Sequence, residues 1–157
     1  MTVSELLQKA RYRGITIACA ESCTGGMVAA ALTDLPGSSD VFDRGFVTYS
    51  NAAKQAMLGV SQATLDAHGA VSEQVALEMV QGALAQSTAQ LAVSITGIAG
   101  PGGSEHKPEG RVCFGVMRKG RDGMTETVEF GAIGRAKVRR AARDRALDLL
   151  AQALDER

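Results

Sequence analysis

The sequence predicts an α/β fold, a three-layer α/β/α sandwich whose mixed, mostly parallel sheet contains one antiparallel hairpin. Apolar runs rich in β-branched residues, typical of buried strands, alternate with amphipathic helical segments along most of the chain. The first such run leads through a polar turn into an apolar helix, as in a βα unit. Two later runs separated by a short turn predict the hairpin. With 157 residues, the chain can form one core, and we predict a single domain over residues 1–157.

Capping residues and apolar spacing define the elements of the N-terminal half. Thr2 and Glu5 fit a capping box, which favours a helix start, and Gly14 is placed to end that helix. Asn51 is a good N-cap for a later helix. The predicted elements are, in order, a helix ending at Gly14, a strand over 15–19, a helix over 27–35, a strand over 46–49 and a helix over 52–58.

The C-terminal half follows the same alternation. Ser72 is placed to cap a helix whose apolar stripe includes Ala76, Met79 and Val80. A glycine-containing turn over 120–123 joins two strand-like runs and predicts the hairpin. The predicted elements are a short helical piece around 63–67, a helix after Ser72, a strand over 91–96, hairpin strands over 112–119 and 125–130, and a last helix from Gly134.

Composition excludes several classes of function. The hydrophobic fraction is 45% and the charged fraction 22%, as in an ordinary soluble protein. The formal net charge is zero and aromatic residues make up 4% of the chain, so a nucleic-acid partner is not expected. No apolar run approaches the roughly 20 residues that span a membrane. We therefore expect neither a nucleic-acid nor a membrane partner.

The three cysteines come without a secretory signal, which predicts reduced thiols and a cytoplasmic location. Together with only two histidines, they do not form a zinc-ligand pattern. We therefore expect no metal and no cofactor. A small α/β protein of this kind is commonly a homo-oligomer, with a dimer as the default expectation.

The polar turn after the first strand carries the first candidate site residues. Glu21, Ser22, Cys23 and Thr24 could each act chemically, because a helix N-terminus offers free N–H groups to an anion or oxyanion. The glycine pair 25–26 lets the backbone approach a ligand closely. Ser22 could be a nucleophile or only a helix cap, and Thr24 or Cys23 could take its place as the reactive group.

Lys54 is the most informative residue outside this turn. If Asn51 is the N-cap, Lys54 is the third helical residue, where the helix dipole disfavours an ammonium and should lower its pKa. A lysine with a lowered pKa beside a hydroxyl can replace histidine as the base that activates a nucleophile. The alternative is a solvated surface lysine.

Two further features are candidates for binding an anion. The glycine-rich loop after Thr96 lacks the Gly-Lys-Ser/Thr of a Walker A motif, but its exposed amides suit a phosphate or ribose. In the last helix, Arg135 and Arg139 are in line with the core stripe. We select Arg139 as a phosphate or carboxylate anchor, because a guanidinium there needs an anionic partner; a structural ion pair with an acid such as Glu21 or Asp43 is the alternative.

The segments AESCTGG, FVTYSNAAK, HGAVSE, GIAGPGG and KPEG, in this order, resemble the CinA C-terminal domain family. Its stand-alone members include nicotinamide-nucleotide amidases (NMN deamidases). The resemblance implies hydrolysis of the carboxamide of nicotinamide mononucleotide to nicotinate mononucleotide and ammonia, in pyridine nucleotide recycling. It also implies that Ser22 is the nucleophile and Lys54 its base. The candidate substrate contacts are Glu21, Cys23, Thr24, Gly25, Gly26, Tyr49, Thr96, Gly97, Gly100, Gly102 and Arg139.

One part of the chain departs from the pattern of many relatives. The glycine loop is shorter, and Glu109 and Arg111 flank the glycine after the Lys-Pro pair, where an aliphatic residue and a threonine are more usual. The alternative function is a non-catalytic nucleotide-binding or regulatory module, linked to competence or DNA-damage proteins, in which Ser22 is only a cap.

Overall fold

The computed structural model describes residues 1–104 and 106–157 and confirms the α/β fold. Its elements, in chain order, are α1 (Val3–Arg13), β1 (Ile17–Glu21), α2 (Met27–Thr33), a 3-10 turn (Ser38–Asp40), β2 (Phe42–Val47), α3 (Asn51–Leu58), α4 (Gln62–His68), α5 (Glu73–Ala85), β3 (Leu91–Gly97), β4 (Arg111–Arg118), β5 (Met124–Glu129) and α6 (Arg135–Asp155). No helix among the described residues is both long enough and apolar enough to cross a membrane.

The five strands form one mixed sheet in the order β2-β1-β3-β4-β5. Strand β1 is parallel to both β2 and β3, whereas β3–β4 and β4–β5 are antiparallel pairs. Of these strands, only β4 therefore runs in the opposite direction, and β4 and β5 form the predicted hairpin. The segments that leave β1, β2 and β3 meet at one edge of the sheet, which is where an α/β fold places its binding site.

Helices cover both faces of the sheet because side chains alternate across a strand. On one face, Ile17 and Cys19 pack into a core with α1, α2 and α6. On the other, Ala18 and Ala20 pack with α5 and with residues of α3 and α4. Strand β1 is buried on both faces, so its end is held by both helical layers.

Most element boundaries agree with the sequence, and the differences occur where pairing decides the boundary. The capping box at Thr2 and the cap at Ser72 are both confirmed. Strand β2 begins at Phe42, before its predicted start. It is an edge strand with half-exposed residues, so the sequence gives only a weak apolar signal for its first part. The prediction that Asn51 caps α3 is wrong, since the Ser50 side chain accepts the hydrogen bond from the Ala53 amide.

Candidate active site

Ser22 is the first residue after β1, and backbone hydrogen bonds fix its position. Its amide donates to the Ile95 carbonyl at 2.9 Å, and its carbonyl accepts from the Gly25 amide at 3.0 Å. The residue is only 7% exposed. The turn therefore holds the Ser22 hydroxyl at the end of the strand with little freedom to move.

Lys54 approaches Ser22 from α3, in the opposite helical layer to α2. Its Nζ lies 3.0 Å from the Ser22 Oγ, 2.9 Å from the Thr48 carbonyl oxygen and 3.2 Å from the Tyr49 carbonyl oxygen. The side chain is 1% exposed, and within the described part of the chain no carboxylate forms an ion pair with it. Lys54 is thus a buried amine whose three partners are all neutral.

Burial lowers the pKa of Lys54, because the charged ammonium loses its hydration in this environment. The sequence also predicts a lowered pKa for Lys54, but it attributes this shift to the helix dipole. With Ser50 as the cap, Lys54 is the fourth helical residue and not the third, and desolvation is the main influence rather than the helix dipole. A neutral Lys54 can accept the proton of the Ser22 hydroxyl.

A cavity of about 310 Å³ opens at this edge of the sheet. The predicted site residues on its wall are Ser22, Cys23, Tyr49, Lys54, Thr96, Gly97, Gly100 and Gly102. The wall also includes the other residues of the candidate glycine loop over 97–103, which are Ile98, Ala99, Pro101 and Gly103. The wall residues that were not candidates are Asn51, Ala70, Val71, Ser104 and Arg135. Among the residues the structure describes, no group of three or more His, Cys, Asp or Glu could hold a metal ion.

Glu21 does not line this cavity, although it was a candidate substrate contact. It is fully buried, and its carboxylate accepts hydrogen bonds from the amides of Gly26, Val28 and Ala29 at 3.0–3.2 Å. These amides belong to the start of α2, where a carboxylate is favourable. Glu21 therefore holds the turn to the helix rather than facing a ligand.

Thr24 and the glycine pair are also away from the cavity wall. The Thr24 hydroxyl donates to the Glu21 carboxylate at 2.6 Å, so it is engaged in the same buried contact. Gly25 and Gly26 have positive φ angles of 59° and 108°, which a side chain disfavours. These three residues therefore shape the turn, and the Thr24 side chain is directed to Glu21 and not to the cavity.

Arg139, the predicted anion anchor, does not line the cavity. Its Nε donates to the Cys23 carbonyl at 3.0 Å and its Nη2 to the Thr24 carbonyl at 3.3 Å. In the described residues it forms no ion pair with Glu21 or Asp43, and Asp43 instead pairs with Arg44. Its predicted need for an acceptor is therefore met by backbone carbonyls.

Arg135, one turn earlier in α6, is the arginine on the cavity wall. Its Nη1 donates to the Gly100 carbonyl at 2.7 Å and its Nη2 to the Tyr49 hydroxyl at 2.8 Å. Arg135 lies at the first position of α6, beyond the end of the core stripe. Both arginines share one face of the helix, so their spacing in the sequence does not separate them.

The turn also offers two unengaged N–H groups. The Gly25 and Gly26 amides are used within the turn, whereas in the described chain the Cys23 and Thr24 amides donate to no backbone carbonyl and to no side chain of another residue. Two adjacent free amides beside a nucleophile are the usual donors to an oxyanion.

Cys23 is a poor alternative to Ser22 as the nucleophile. Burial raises the pKa of its thiol to about 11, so little thiolate forms at neutral pH, and the thiolate is the reactive form. The Thr24 hydroxyl is likewise directed to Glu21. Of the three candidate nucleophiles, Ser22 is the one in contact with the lysine amine.

The unusual residues after the Lys-Pro pair have structural contacts. A Cβ on Gly100 would lie 1.8 Å from a Glu109 carboxylate oxygen, so Glu109 packs directly against the glycine loop. Arg111 forms an ion pair of 2.6 Å with Glu129 across the β4–β5 hairpin. The Thr96 hydroxyl donates to the Ala70 carbonyl at 2.8 Å, which links β3 to the segment before α5.

The fold and the site define an α/β protein with a buried lysine–serine pair at the ends of its parallel strands. The family model of the CinA C-terminal domain matches residues 2–154 of the sequence. The chain therefore belongs to the CinA C-terminal domain family.

Proteins from several bacteria are similar to this chain, and the matched part is a different fraction of each protein's length. The Escherichia coli (strain K12) protein named nicotinamide-nucleotide amidohydrolase PncC is 51% identical over 160 residues, covering 97% of this chain and 96% of that protein. A CinA-like protein of Chlorobium phaeobacteroides (strain BS1) is 56% identical over 131 residues, which are 82% of this chain and 30% of that protein.

A solved structure is similar over nearly the whole chain. The competence/damage inducible protein CihA from Agrobacterium tumefaciens superposes with a TM-score of 0.94 at 46% identity, covering 98% of this chain and 93% of that one.

Proposed function

We propose that this protein is an amidohydrolase that converts nicotinamide mononucleotide to nicotinate mononucleotide and ammonia, in pyridine nucleotide recycling. The observation that carries the proposal is the 3.0 Å contact between the buried Lys54 Nζ and the Ser22 Oγ on the wall of a cavity. The name of the Escherichia coli relative, which this chain matches over 97% of its length, supports the choice of substrate.

In the first step, neutral Lys54 acts as the base. Its two N–H groups donate to the Thr48 and Tyr49 carbonyls, so its lone pair is left for the Ser22 hydroxyl proton. As this proton moves to Nζ, Ser22 Oγ bonds to the carboxamide carbon, and the former carbonyl oxygen becomes an oxyanion. The free amides of Cys23 and Thr24 stabilise this charge.

The tetrahedral intermediate then loses ammonia. The C–N bond breaks while the protonated Lys54 returns its proton to the leaving nitrogen. An ester of Ser22 remains. Water attacks this ester as Lys54 takes a proton from it, the same amides hold the second oxyanion, and the proton passes to Ser22 Oγ when the acid is released.

Arg135 and the glycine loop provide the nucleotide specificity in this proposal. Arg135 already spans the cavity from the Gly100 carbonyl to the Tyr49 hydroxyl, and a guanidinium binds phosphate through paired N–H groups. The role first given to Arg139 therefore passes to Arg135. The cytoplasmic location and a homodimer stay predictions, and light scattering on the purified protein tests the latter.

The test is ammonia release by the wild-type protein in the presence of chelator. Nicotinamide mononucleotide, its riboside and free nicotinamide are compared as substrates. We expect release from the mononucleotide with much lower kcat/KM for the two compounds without phosphate. Binding of the mononucleotide without any ammonia release would contradict the proposal and favour a non-catalytic binding module.

A further inference from the structure

Two charged side chains hold the turn after β1 without lining the cavity. Glu21 accepts hydrogen bonds from amides at the start of α2. Arg139, from α6, donates to the carbonyls of Cys23 and Thr24 at 3.0 and 3.3 Å. Arg139 is not on the cavity wall, so its direct contacts are with the backbone of this turn and not with a bound molecule.

The first of these contacts bears on the free Thr24 amide. The Cys23 carbonyl and the Thr24 N–H are the two ends of one peptide group, and resonance couples its oxygen to its nitrogen. A cationic donor at the oxygen draws electron density from the nitrogen, which makes the N–H a stronger donor. In the described chain this N–H has no acceptor, and the proposed mechanism assigns it to the oxyanion.

The second contact acts on the next peptide group. The Thr24 carbonyl shares a peptide group with the Gly25 N–H, which donates to the Ser22 carbonyl at 3.0 Å. Polarising this group strengthens the hydrogen bond that closes the turn. The guanidinium lies close to the turn here, since a Cβ on Gly25 would be 3.3 Å from the Arg139 Nη2.

We propose that Arg139 is a positioning residue that strengthens the oxyanion hole through the Cys23–Thr24 peptide group. This inference rests on the proposed amidase function. The substrate carbonyl gains its full negative charge only near the transition state, so a stronger donor lowers the barrier more than it improves substrate binding. Loss of the Arg139 charge should therefore lower kcat and leave KM nearly unchanged.

Two variants separate the charge from the hydrogen bond. Arg139→Lys keeps a cation, and Arg139→Gln keeps an N–H donor without charge. Arg140→Gln, an exposed neighbour on the same helix, is the matched control. We expect Arg139→Gln to lower kcat on the order of 10- to 100-fold, less than the 10²–10³ cost of deleting an oxyanion donor. Arg139→Lys should lose less, and the control should match the wild type.

A second measurement removes substrate recognition from the comparison. A fluorophosphonate probe reacts when Ser22 Oγ bonds to phosphorus, the P–F bond breaks, fluoride leaves and Lys54 takes the serine proton. The phosphoryl oxygen occupies the oxyanion hole, and no nucleotide is needed. Labelling at Ser22 should be fastest in the wild type, slower in Arg139→Lys and slowest in Arg139→Gln. Unfolding midpoints of each variant report whether the fold is kept.

Equal kcat and labelling rates for Arg139→Gln and wild type, or a more active Gln than Lys variant, would overturn the inference. If Arg139→Gln does not fold, Arg139→Met, which also lacks the charge, decides: reduced kcat at unchanged KM supports the inference, and unchanged kcat refutes it. A wild-type protein that neither releases ammonia nor labels at Ser22 would overturn the proposed function and this inference with it. Wild-type activity with insensitive Arg139 variants would overturn this inference alone.

Discussion

At the residue scale, the site depends on a lysine whose environment favours the neutral amine. The Lys54 Nζ has two backbone carbonyls and one hydroxyl as partners. A buried ammonium without a carboxylate partner is costly. The same burial that disfavours the charged form makes Lys54 a suitable base for Ser22.

The pH dependence of activity follows from this burial. Only neutral Lys54 accepts the Ser22 proton, so kcat/KM should rise with pH through the pKa of Lys54 and level off above it. Burial lowers that pKa from the usual 10.5, so the rise should fall below the pH at which an exposed lysine titrates. A steady-state pH–rate profile measures it, and activity that falls as pH rises through this range would contradict the role of Lys54.

Arg135 gives a second prediction at this scale. Arg135→Gln should raise KM for nicotinamide mononucleotide on the order of 10-fold or more, because a phosphate loses a charged bidentate donor, and kcat should change much less. Arg143→Gln, in the same helix and next to Asp144, is the control. Steady-state kinetics with both variants decides the matter, and an unchanged KM in Arg135→Gln would remove Arg135 from substrate binding.

At the element scale, Glu21 links β1 to the start of α2. Gly26, at the N-cap of α2, has no side-chain cap, and the buried Glu21 carboxylate takes over that role from the preceding strand. The carboxylate accepts hydrogen bonds from three backbone amides and from the Thr24 hydroxyl. These donors would otherwise be buried without partners.

Glu21→Gln should therefore destabilise the protein. In the wild-type structure, the Ala29 N–H donates to the second carboxylate oxygen of Glu21. The glutamine side chain keeps one acceptor oxygen but places its NH₂ group against this N–H. Hydrogen bonds to a charged group contribute about 1.5–3 kcal/mol, so we expect a loss of about 2–3 kcal/mol. Urea unfolding measures it. The exposed capping-box variant Glu5→Gln should lose less, and equal losses would refute the role of Glu21.

The position of Lys54 also depends on how α3 packs on α5. A Cβ at Gly82 in α5 would lie 2.0 Å from the Leu58 carbonyl oxygen at the end of α3. The glycine therefore allows the two helices to approach closely, and α3 carries Lys54 to Ser22.

Gly82→Ala tests this contact. Alanine is favoured over glycine in a helix by about 1 kcal/mol, yet here the backbone clash should outweigh that gain and shift α3. We expect lower thermal stability and lower kcat, because displacement of Lys54 by about 1 Å can cost about 10²-fold. Ala85→Gly at an exposed site of α5 should lower stability alone. A Gly82→Ala protein that is more stable and fully active would contradict the argument.

At the scale of the whole molecule, the site exists only where the two helical layers meet the ends of the parallel strands. Ser22 and Arg139 come from the side of α2 and α6, and Lys54 comes from α3 on the other side. Local patterns predicted these elements well, because caps such as Ser72 and the apolar alternation of β1 and β3 are local signals. The parallel order of β1 and β3 then places the Ser22 turn beside the loop after Thr96.

Sequence reasoning could not assign every contact at this edge. Arg135 and Arg139 share one face of α6, and only the position of the first helical turn over the strand ends directs Arg135 to the cavity. Glu21 belongs to a turn full of reactive residues, but its partners are amides of the helix that follows. Both assignments depend on packing between elements, which spacing along the chain does not reveal.

The central claim is that Ser22 and Lys54 act as nucleophile and base, and ammonia release from nicotinamide mononucleotide tests it most directly. Wild type, Ser22→Ala and Lys54→Met are compared in chelator, with exposed Ser39→Ala as control. We expect release by the wild type and the control, and a loss of about 10³-fold or more in the other two. Activity retained by folded Ser22→Ala would contradict the account and move the nucleophile to another group or to water.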